Sequence, residues 1–546
     1  MSRRTSSRFS WIRRTWRWLS SFAFASKSVY TADWRAARKS ADDEILADLA
    51  TSTPRARQMV RDTWIGRSTL SAYLRHAVGS GISLRSSARD PNSNQRLPAG
   101  DWLTFVRQVD RLWRRWMRNA RLVDAEGNRS LLQIQRFGIR EWATVGEAFA
   151  VLGYERRAED VGLTVRVFEQ EQLASDLSVS PANGNEIRGG VEIDRNGRRI
   201  AYHVYRGGHP LEGGPLEIER IPAGRVLLFA DPERARQTHG MTPFHAVGIK
   251  ARHVHYYDEY ETIAKRAEAA ICAVRKRGSS GQTFTGLAHP MGDTGLDTDG
   301  NEITELRPGV IVDVGQDGSL DLLNPQRPGA AYEPFMRIQL AEVAAGLDMD
   351  PAMLLRDFSR ANFSGQRQSL LEFWAVTDVL QELLVEQWLR PIWEAFVALA
   401  VSEGFAQPPA GYFEDAEVRA ACLEMDWQPP PKYWIDPARQ AAAVKLGLDS
   451  YQTTPGRELE KVGYTFQGTI DEWAEQIEYA RARGIDIRPS AQGQSPYEPK
   501  PGSRAGGDRS GQEGTEDGEI VPTQSRRPGG NGDRFRLPDW DIEEDG

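Results

Sequence analysis

The sequence predicts an α+β protein that is mostly helical and contains several domains. Apolar side chains recur every three or four residues from Ser369 to Val401, which predicts a helix about 50 Å long. Alternating apolar residues between 158 and 240 predict strands, and Asn196-Gly197 between two such runs is a strong hairpin signal. At 546 residues the chain is too long for one hydrophobic core, so about three or four domains are expected.

The first 243 residues are predicted to combine helices with these strands. Helical spacing predicts helices across 30–86, where Gly79 and Gly81 stop the pattern. Two further helices are expected at Trp102–Met117 and Leu131–Val151. Strands are expected in 163–169, in the hairpin around Asn196-Gly197, and at Val226–Phe229.

The middle of the chain is predicted to hold two helices around a small insert. Phe244–Arg277 shows helical spacing, and a further helix is expected to begin near Tyr332. Between them, residues 278–330 are rich in Gly and Pro, with short strands expected at Glu305–Val314 and Ser319–Leu323.

The C-terminal part is predicted to alternate loops with helices. Residues 405–436 are expected to be loop-rich, and Asp436–Gly484 to be helical, with Asp436 as N-cap and Pro437 in the first helical position. From about Ile487 the composition of Pro, Gly, Ser, Gln and charge predicts disorder.

The long helix predicted at Ser369–Val401 is unusual in its proline and in the loop before it. Pro391 has no backbone N–H, so we expect a kink there and a carbonyl at Gln387 without its helical donor. The preceding polar loop carries Arg356, Asp357, Arg360 and Arg367. Periodicity alone favours a core helix behind a surface loop over a special role for this segment.

Composition excludes several protein classes. The hydrophobic content of 40% and charged content of 27% are those of a soluble globular protein. A net charge of −7 argues against a nucleic-acid coat, which would be basic. Only Cys272 and Cys422 are present, which excludes a disulfide framework. The arginine-rich first 29 residues predict a flexible basic arm, with an amphipathic membrane-surface helix as the alternative.

No motif for catalysis or metal binding stands out. The chain lacks a phosphate-binding GxxxxGK[ST] loop, a GxSxG elbow, an HExxH pair and a CxxC pair. His253 and His255 are two apart and would not face one metal on a helix. Glu147 has no partner acid or His at a suggestive spacing, which favours a solvated or salt-bridged helix carboxylate. We therefore expect no enzyme, no cofactor and no metal site.

A first stretch, before and at the start of the predicted long helix, carries Ala344, Ala345, Gly346, Leu347, Asp357, Ser359, Asn362, Phe363, Ser364 and Arg367. A second stretch, around the predicted hairpin, carries Ile187, Gly190, Val191, Glu192, Asp194, Gly197, Arg198, Ala201, Tyr202 and His203. On these residues, and on further pieces spread over about residues 30–485, the sequence resembles the portal proteins of lambda-type tailed bacteriophages. It departs from the family pattern at Phe363, which replaces a usual Tyr, at Gly365, which replaces a usual small hydroxyl residue, and at His239, which stands where the pattern has Arg.

The resemblance implies a plan of wing, stem, clip and crown regions. The expected ranges are a basic arm 1–29; a wing 30–243, helical in 30–155 and β-rich in 158–240; a stem helix 244–277; a clip 278–330; a second stem helix 331–346; a tunnel loop 347–368; a long kinked wing helix 369–404; a helical crown 405–486; and a disordered tail 487–546.

The resemblance also implies a ring, usually a dodecamer, at the portal vertex of the capsid. Such a ring passes double-stranded DNA inward and later outward, and it contacts the terminase large subunit, the major capsid protein and head-completion or adaptor proteins. It assembles in the host cytoplasm and involves no membrane. The alternatives are a scaffold or minor virion protein that is no DNA conduit, and a nuclease.

Three arginines are candidates for contact with the DNA. A ring must enclose the duplex yet let it slide, and a net-negative chain avoids tight phosphate binding. We expect Arg356, Arg360 and Arg367 to supply a few mobile contacts near the channel. The opposing interpretation, that they pair with Asp357 or with neighbouring subunits, carries equal weight.

Overall fold

The computed structural model describes a large part of the chain. The described residues are 37–92, 100–181, 184–206, 217–276, 294–296, 302–304, 310–314, 332–359, 363–432, 437–461, 464 and 466–485. Two compact units are present, residues 1–472 and residues 473–546. Of the second unit only 473–485 are described, and they are helical up to Arg481. The predicted basic arm and disordered tail lie outside the described residues.

Helices dominate the N-terminal part, as predicted. Ser40 begins the first helix with a capping box, in which its hydroxyl accepts the Asp43 N–H and the Asp43 carboxylate accepts the Ser40 N–H. Gly79, at a φ of 49°, ends the second helical segment after a π-helical turn. The helices are α1 (Ala41–Asp62), α2 (Trp64–Tyr73, continued by the π turn Leu74–Val78), α3 (Asp101–Arg118), α4 (Ala120–Val123) and α5 (Leu131–Val145).

A three-stranded antiparallel sheet follows α5. Its strands are β2 (Glu147–Tyr154), β3 (Leu163–Phe168) and β8 (Val226–Ala230), in the order β3-β2-β8. The helix predicted at Leu131–Val151 is therefore wrong beyond Val145. Gly146 adopts a φ of 94°, and a Cβ there would overlap the backbone of Met241, so only glycine fits this stop. Residues 147–151 are buried throughout, and for that reason they lack the alternation that marks a half-buried strand.

A second antiparallel sheet contains the predicted hairpin. Its strands are β4 (Glu186–Arg188), β5 (Val191–Ile193), β6 (Arg199–Arg206) and β7 (Glu217–Pro222), paired in that order. The Asp194 carboxylate accepts the N–H groups of Asn196 and Arg198, which closes the turn at Asn196-Gly197. The hairpin and the strand at Val226–Phe229 are confirmed.

The next helix is shorter than predicted. A 3-10 turn at Pro243–His245 precedes α6 (Gly248–Ala270), and Ile271–Lys276 forms strand β9 instead of continuing the helix to Arg277. β-branched Ile271 and Val274 favour a strand once a partner is available, and β9 pairs in parallel with β12 (Val310–Val314). A separate pair joins β10 (Thr294–Leu296) to β11 (Glu302–Thr304). The strand predicted at Ser319–Leu323 lies outside the described residues.

The long C-terminal helix is confirmed and starts earlier than predicted. Helix α7 (Tyr332–Ala345) leads to the short α8 (Pro351–Leu355), and α9 (Phe363–Leu384) begins six residues before Ser369. A π turn at Val385–Leu389 joins α9 to α10 (Arg390–Ser402). The predicted irregularity near Pro391 is thus a wide turn just before it, where the Arg390 N–H donates to the Val385 carbonyl.

The region after α10 is more regular than the predicted loop. It contains α11 (Ala416–Leu423) and β13 (Met425–Gln428), and β13 pairs with the distant β1 (Ser83–Ser86). A four-residue edge strand with a partner more than 300 residues away leaves little local signal. Three further helices follow, as predicted: α12 (Pro437–Asp449), α13 (Pro455–Lys461) and α14 (Phe466–Arg481). The predicted N-cap Asp436 lies outside the described residues.

Aromatic side chains from α3 and α10 fill the centre of the core. Trp113 stacks on Trp116 with ring centroids 5.1 Å apart. It meets Trp393 and Phe396 edge-on at 5.0 Å each. All four side chains are buried. Across the described ranges, no helix is both long enough and apolar enough to cross a membrane.

Candidate functional site

The arginine-bearing loop begins at a short capped helix. The Asp350 carboxylate accepts the Ala352 N–H at 2.7 Å and so caps α8. Its second oxygen accepts the Ser369 hydroxyl at 2.9 Å, from the second turn of α9. One carboxylate therefore ties together the two ends of the segment that carries all three candidate arginines.

The base of this loop is also fixed to helix α2. The Ser68 hydroxyl donates to the Leu354 carbonyl at 2.6 Å, and the Tyr73 hydroxyl donates to the Leu347 carbonyl at 2.7 Å. Tyr73 is buried, and this burial raises the pKa of its phenol, so it remains a neutral donor. The base of the loop is thus held to α2 by two single hydrogen bonds.

The candidate arginines occupy both ends of the loop. Arg356 follows α8 in the left-handed conformation, with a φ of 56°, and its side chain is exposed. Arg367 is exposed on the first turns of α9, and Arg360 lies outside the described residues. Among described residues Arg356 forms no ion pair, whereas the Asp357 carboxylate accepts both the backbone N–H and the hydroxyl of Ser359.

The π turn in the long helix has a structural partner that the sequence did not indicate. The side-chain amide of Gln387 donates to the Ala230 carbonyl at 3.0 Å and accepts the Ala230 N–H at 2.9 Å. Ala230 is the last residue of β8. The wide turn therefore presents a side-chain amide that satisfies both backbone groups at the end of a strand.

Glu147 is a buried, salt-bridged carboxylate, on a strand and not on the predicted helix. Its side chain is fully buried and contacts His239 Nδ1 at 2.9 Å. The Gly240 N–H and the Gln170 amide also donate to it. His239 stands where the family pattern has Arg, and it supplies the cation at that place. The two positions are 92 apart in the sequence, which hid this pair from any spacing rule.

His239 is held in its charged form. Its Nε2 donates to the Gly189 carbonyl at 3.0 Å, so both ring nitrogens have acceptors. Burial works against the imidazolium, but the charge and hydrogen bond of Glu147 outweigh it and raise the pKa of His239. The pair joins β2 to the loop before α6 and to the β4–β5 turn, which is a structural role.

The described residues contain no group of three or more His, Cys, Asp or Glu side chains arranged to hold a metal ion. His253 is exposed and His255 half-buried on α6. Cys422 is buried, and burial raises the pKa of its thiol to about 12, so this sulfur is unreactive at neutral pH.

Comparison with known proteins identifies relatives along most of the chain. The family model described as phage portal protein, lambda family, matches residues 28–381. The probable portal protein of Halomonas phage phiHAP-1 is 22% identical over 480 residues, covering 85% of this chain and 87% of the relative. Portal protein B of Escherichia phage lambda is 21% identical over 483 residues, covering 83% and 88%.

Among solved structures, the chain resembles one from the neck of an empty gene transfer agent particle. The two share 11% identity with a TM-score of 0.36, covering 81% of this chain and 94% of the other.

Proposed function

The chain belongs to the lambda family of phage portal proteins, and on that premise we propose that its copies form a closed ring, a dodecamer as is usual in the family. Membership of the family carries the function: a virion component at the capsid vertex that forms the channel through which double-stranded DNA is packaged and ejected. Portal proteins are structural components of the particle.

The proposal extends to the partners of the ring and to the regions of the chain. The ring assembles in the host cytoplasm and contacts the terminase large subunit, the major capsid protein and head-completion proteins. Residues 30–243 and 369–404 form the wing, 244–277 and 331–346 the stem, 278–330 the clip and 405–486 the crown. The order of helices α6 and α7 around an insert that contains β10 to β12 supports this division.

Within the ring, Arg356, Arg360 and Arg367 face the DNA. The exposed side chain of Arg356 supports this role, because it forms no ion pair with any described residue and stands at the end of a supported helix. Arg367 is exposed at the opposite end of the same loop. The Asp350 carboxylate links the two ends of the segment that carries these arginines.

A channel through which DNA must slide is better served by a small number of cationic contacts than by a large number. Each phosphate contact adds to the affinity and to its salt dependence, and six to ten contacts produce tight binding. Three arginines per subunit on a loop make contacts that break and reform as the duplex moves. The net charge of −7 per chain adds no general attraction that would hold the DNA.

The test replaces Arg356, Arg360 and Arg367 together with Ala and measures the DNA packaged per head. We expect a several-fold reduction, because the moving duplex loses its contacts. The matched control replaces Arg140, Arg195 and Arg390, which are exposed and lie outside the loop, and should package normally. Normal packaging by the loop variant would remove the role in DNA contact.

Ring formation is checked separately by native mass spectrometry of the purified protein. A closed ring of about twelve subunits is expected for the native chain and for both variants. A chain that stays monomeric and is still incorporated into heads would support the alternative, a scaffold protein without a channel.

A further inference from the structure

Helix α3 carries a stripe of arginines that the channel role does not use. Asp101–Arg118 contains five arginines and two aspartates, in a chain whose net charge is −7. Arg107, Arg111, Arg114 and Arg118 recur at steps of four, three and four, so their side chains leave the same face of the helix. All four are exposed. We call these four residues the α3 stripe.

Within the described part of the chain, the α3 stripe has an acidic neighbour on its own helix, Asp110, which interacts electrostatically with Arg114. The neighbouring Arg115 pairs with Asp160 at 2.9 Å, but the four stripe arginines form no ion pair with described residues. Asp110 is half-buried, and its carboxylate accepts the Ser86 N–H at 2.8 Å. Like charges at these spacings repel one another, so an unpaired stripe lowers the stability of the helix. A bound polyanion would offset this repulsion.

The opposite face of α3 holds the stripe rigidly. Phe105, Val109, Trp113 and Trp116 are buried there. The Trp116 indole N–H also donates to the Leu163 carbonyl at 3.0 Å. The guanidinium groups therefore project from a helix whose position and rotation are fixed by the core.

We infer that the α3 stripe binds the phosphate backbone of duplex DNA on a surface separate from the channel. Eleven residues separate Arg107 from Arg118, which spans about 17 Å along the helix. One DNA strand carries a phosphate about every 3.4 Å along the duplex axis, so this length faces about five phosphates. Guanidinium groups bind phosphate through paired N–H groups and keep their charge at every physiological pH.

The surroundings of the stripe favour a nucleic acid over a protein partner. Protein interfaces depend on a few large apolar anchors at their centre. Over its full length, Asp101–Arg118, helix α3 exposes no large hydrophobic side chain. A surface of arginines without apolar anchors suits a sequence-independent, salt-sensitive contact. The inference rests on the proposed function only because packaging brings duplex DNA to the protein.

The test measures binding of the assembled ring to relaxed, covalently closed circular duplex DNA. Circular DNA has no end that can enter a closed ring, so its binding reports on outer surfaces. The variant replaces Arg107, Arg111, Arg114 and Arg118 with Gln. The control replaces Arg140, Arg195, Arg198 and Arg390 with Gln, which changes the charge equally at dispersed exposed positions.

We expect the native ring to lose affinity steeply between about 50 and 200 mM salt. Each stripe that contacts the DNA supplies four phosphate contacts, so the variant should reduce the slope of log affinity against log salt by about 3 to 4 per engaged subunit. Over this range of salt, that corresponds to a loss of affinity roughly 100-fold smaller per engaged stripe. The control should keep the native slope. A variant with Lys at all four positions should keep most of it, because the charge remains.

Three results would overturn the inference. The first is an unchanged slope in the stripe variant. The second is loss of ring assembly by a variant that still folds, which would place α3 between subunits. The third is unchanged DNA binding together with loss of incorporation into heads, which would indicate an acidic protein partner. If the fourfold variant does not fold, R111Q/R114Q should show about half of the change in slope.

The channel proposal is judged by a different readout. DNA packaged per head depends on passage through the ring, whereas circular-DNA binding depends on the outer surface. If the stripe variant packages DNA normally but has a reduced affinity for circular DNA, both proposals are supported. A loop variant that packages normally overturns the channel contacts and leaves the stripe unaffected.

Discussion

Arg356 ends α8 and Arg367 lies in the first turns of α9, on either side of a short loop, whereas the α3 stripe follows one face of a regular helix held by the core. The loop is supported by single hydrogen bonds from Ser68, Tyr73 and Ser369. The stripe is supported by a layer of buried aromatic rings. The arginines beside the loop therefore have a support that can yield, whereas the arginines of the α3 stripe have a rigid support.

The difference in support predicts a difference in use. A cation at the start of the loop, such as Arg356, can follow a phosphate that moves past it, and hydrogen bonds worth about 1 kcal/mol each allow such movement. Cations fixed at constant spacing on a helix match a duplex that stays in place. The loop therefore suits DNA that slides, and the stripe suits DNA that rests against the particle's own protein.

The largest effect is expected at the support of the stripe. Trp113 is fully buried, and its indole N–H has no hydrogen-bond partner among described residues, so its contribution is packing alone. Trp113→Ala should lower the free energy of unfolding by about 3–5 kcal/mol. Chemical denaturation measures this loss.

The control for Trp113→Ala is Phe413→Ala, because Phe413 is 68% exposed. This change should cost less than about 1 kcal/mol. A Trp113→Ala protein as stable as the control would show that α3 does not depend on the aromatic layer. The contrast between a rigid and a yielding support would then fail.

The next effect concerns the buried Glu147–His239 pair, which supports both regions indirectly. Helix α5 ends at Gly146, just before Glu147, and α5 packs against both α2 and α3. His239→Asn leaves the Glu147 charge without its cation. The remaining donors, Gly240 and Gln170, offset part of this, so a loss of about 3 kcal/mol is expected, the lower end for a broken buried pair.

This pair also predicts how stability depends on pH. The pKa of folded His239 is raised above its ordinary value of 6.5. Its contribution to stability is therefore fully present below about pH 6.5 and is lost as the pH rises through the folded pKa. In the native protein, the melting temperature should fall as the pH rises above about 6.5. In His239→Asn it should fall less over the same range. Equal pH dependence in both proteins would contradict the assignment.

Much of the fold followed from periodicity, because long amphipathic segments carry their own signal. The helix containing Trp113 and the hairpin at Asn196-Gly197 were predicted within one or two residues. The errors lie where tertiary contacts decide. Met241 imposes the stop at Gly146, and β12 draws Ile271–Lys276 into a strand.

The candidate site was predictable only in part. Family resemblance indicated the loop and its arginines, but it gave no sign of the Asp350–Ser369 bond, because these residues are 19 apart across a turn. The helical spacing of the α3 arginines is present in the sequence but gave no prediction. Its significance required knowing that Asp160 pairs with Arg115 and that the stripe residues are exposed and unpaired among described residues.

The smallest effect is expected at the support of the loop. Asp350→Ala removes the cap of α8 and the acceptor of the Ser369 hydroxyl, and should cost about 1–2 kcal/mol. Ser369→Ala removes only one of these bonds and should cost less. Asp350→Asn is the matched control, because its amide oxygen still caps the helix.

Asp350→Ala distinguishes the two supports by function as well as by stability. The variant keeps every arginine, so only their position changes. Packaged DNA per head should fall, while binding of circular DNA by the α3 stripe should stay at the native level, because the aromatic support of α3 is untouched. If packaging were unchanged despite the lost stability, the ends of the loop would not need their link. The arginines would then act as freely moving charges.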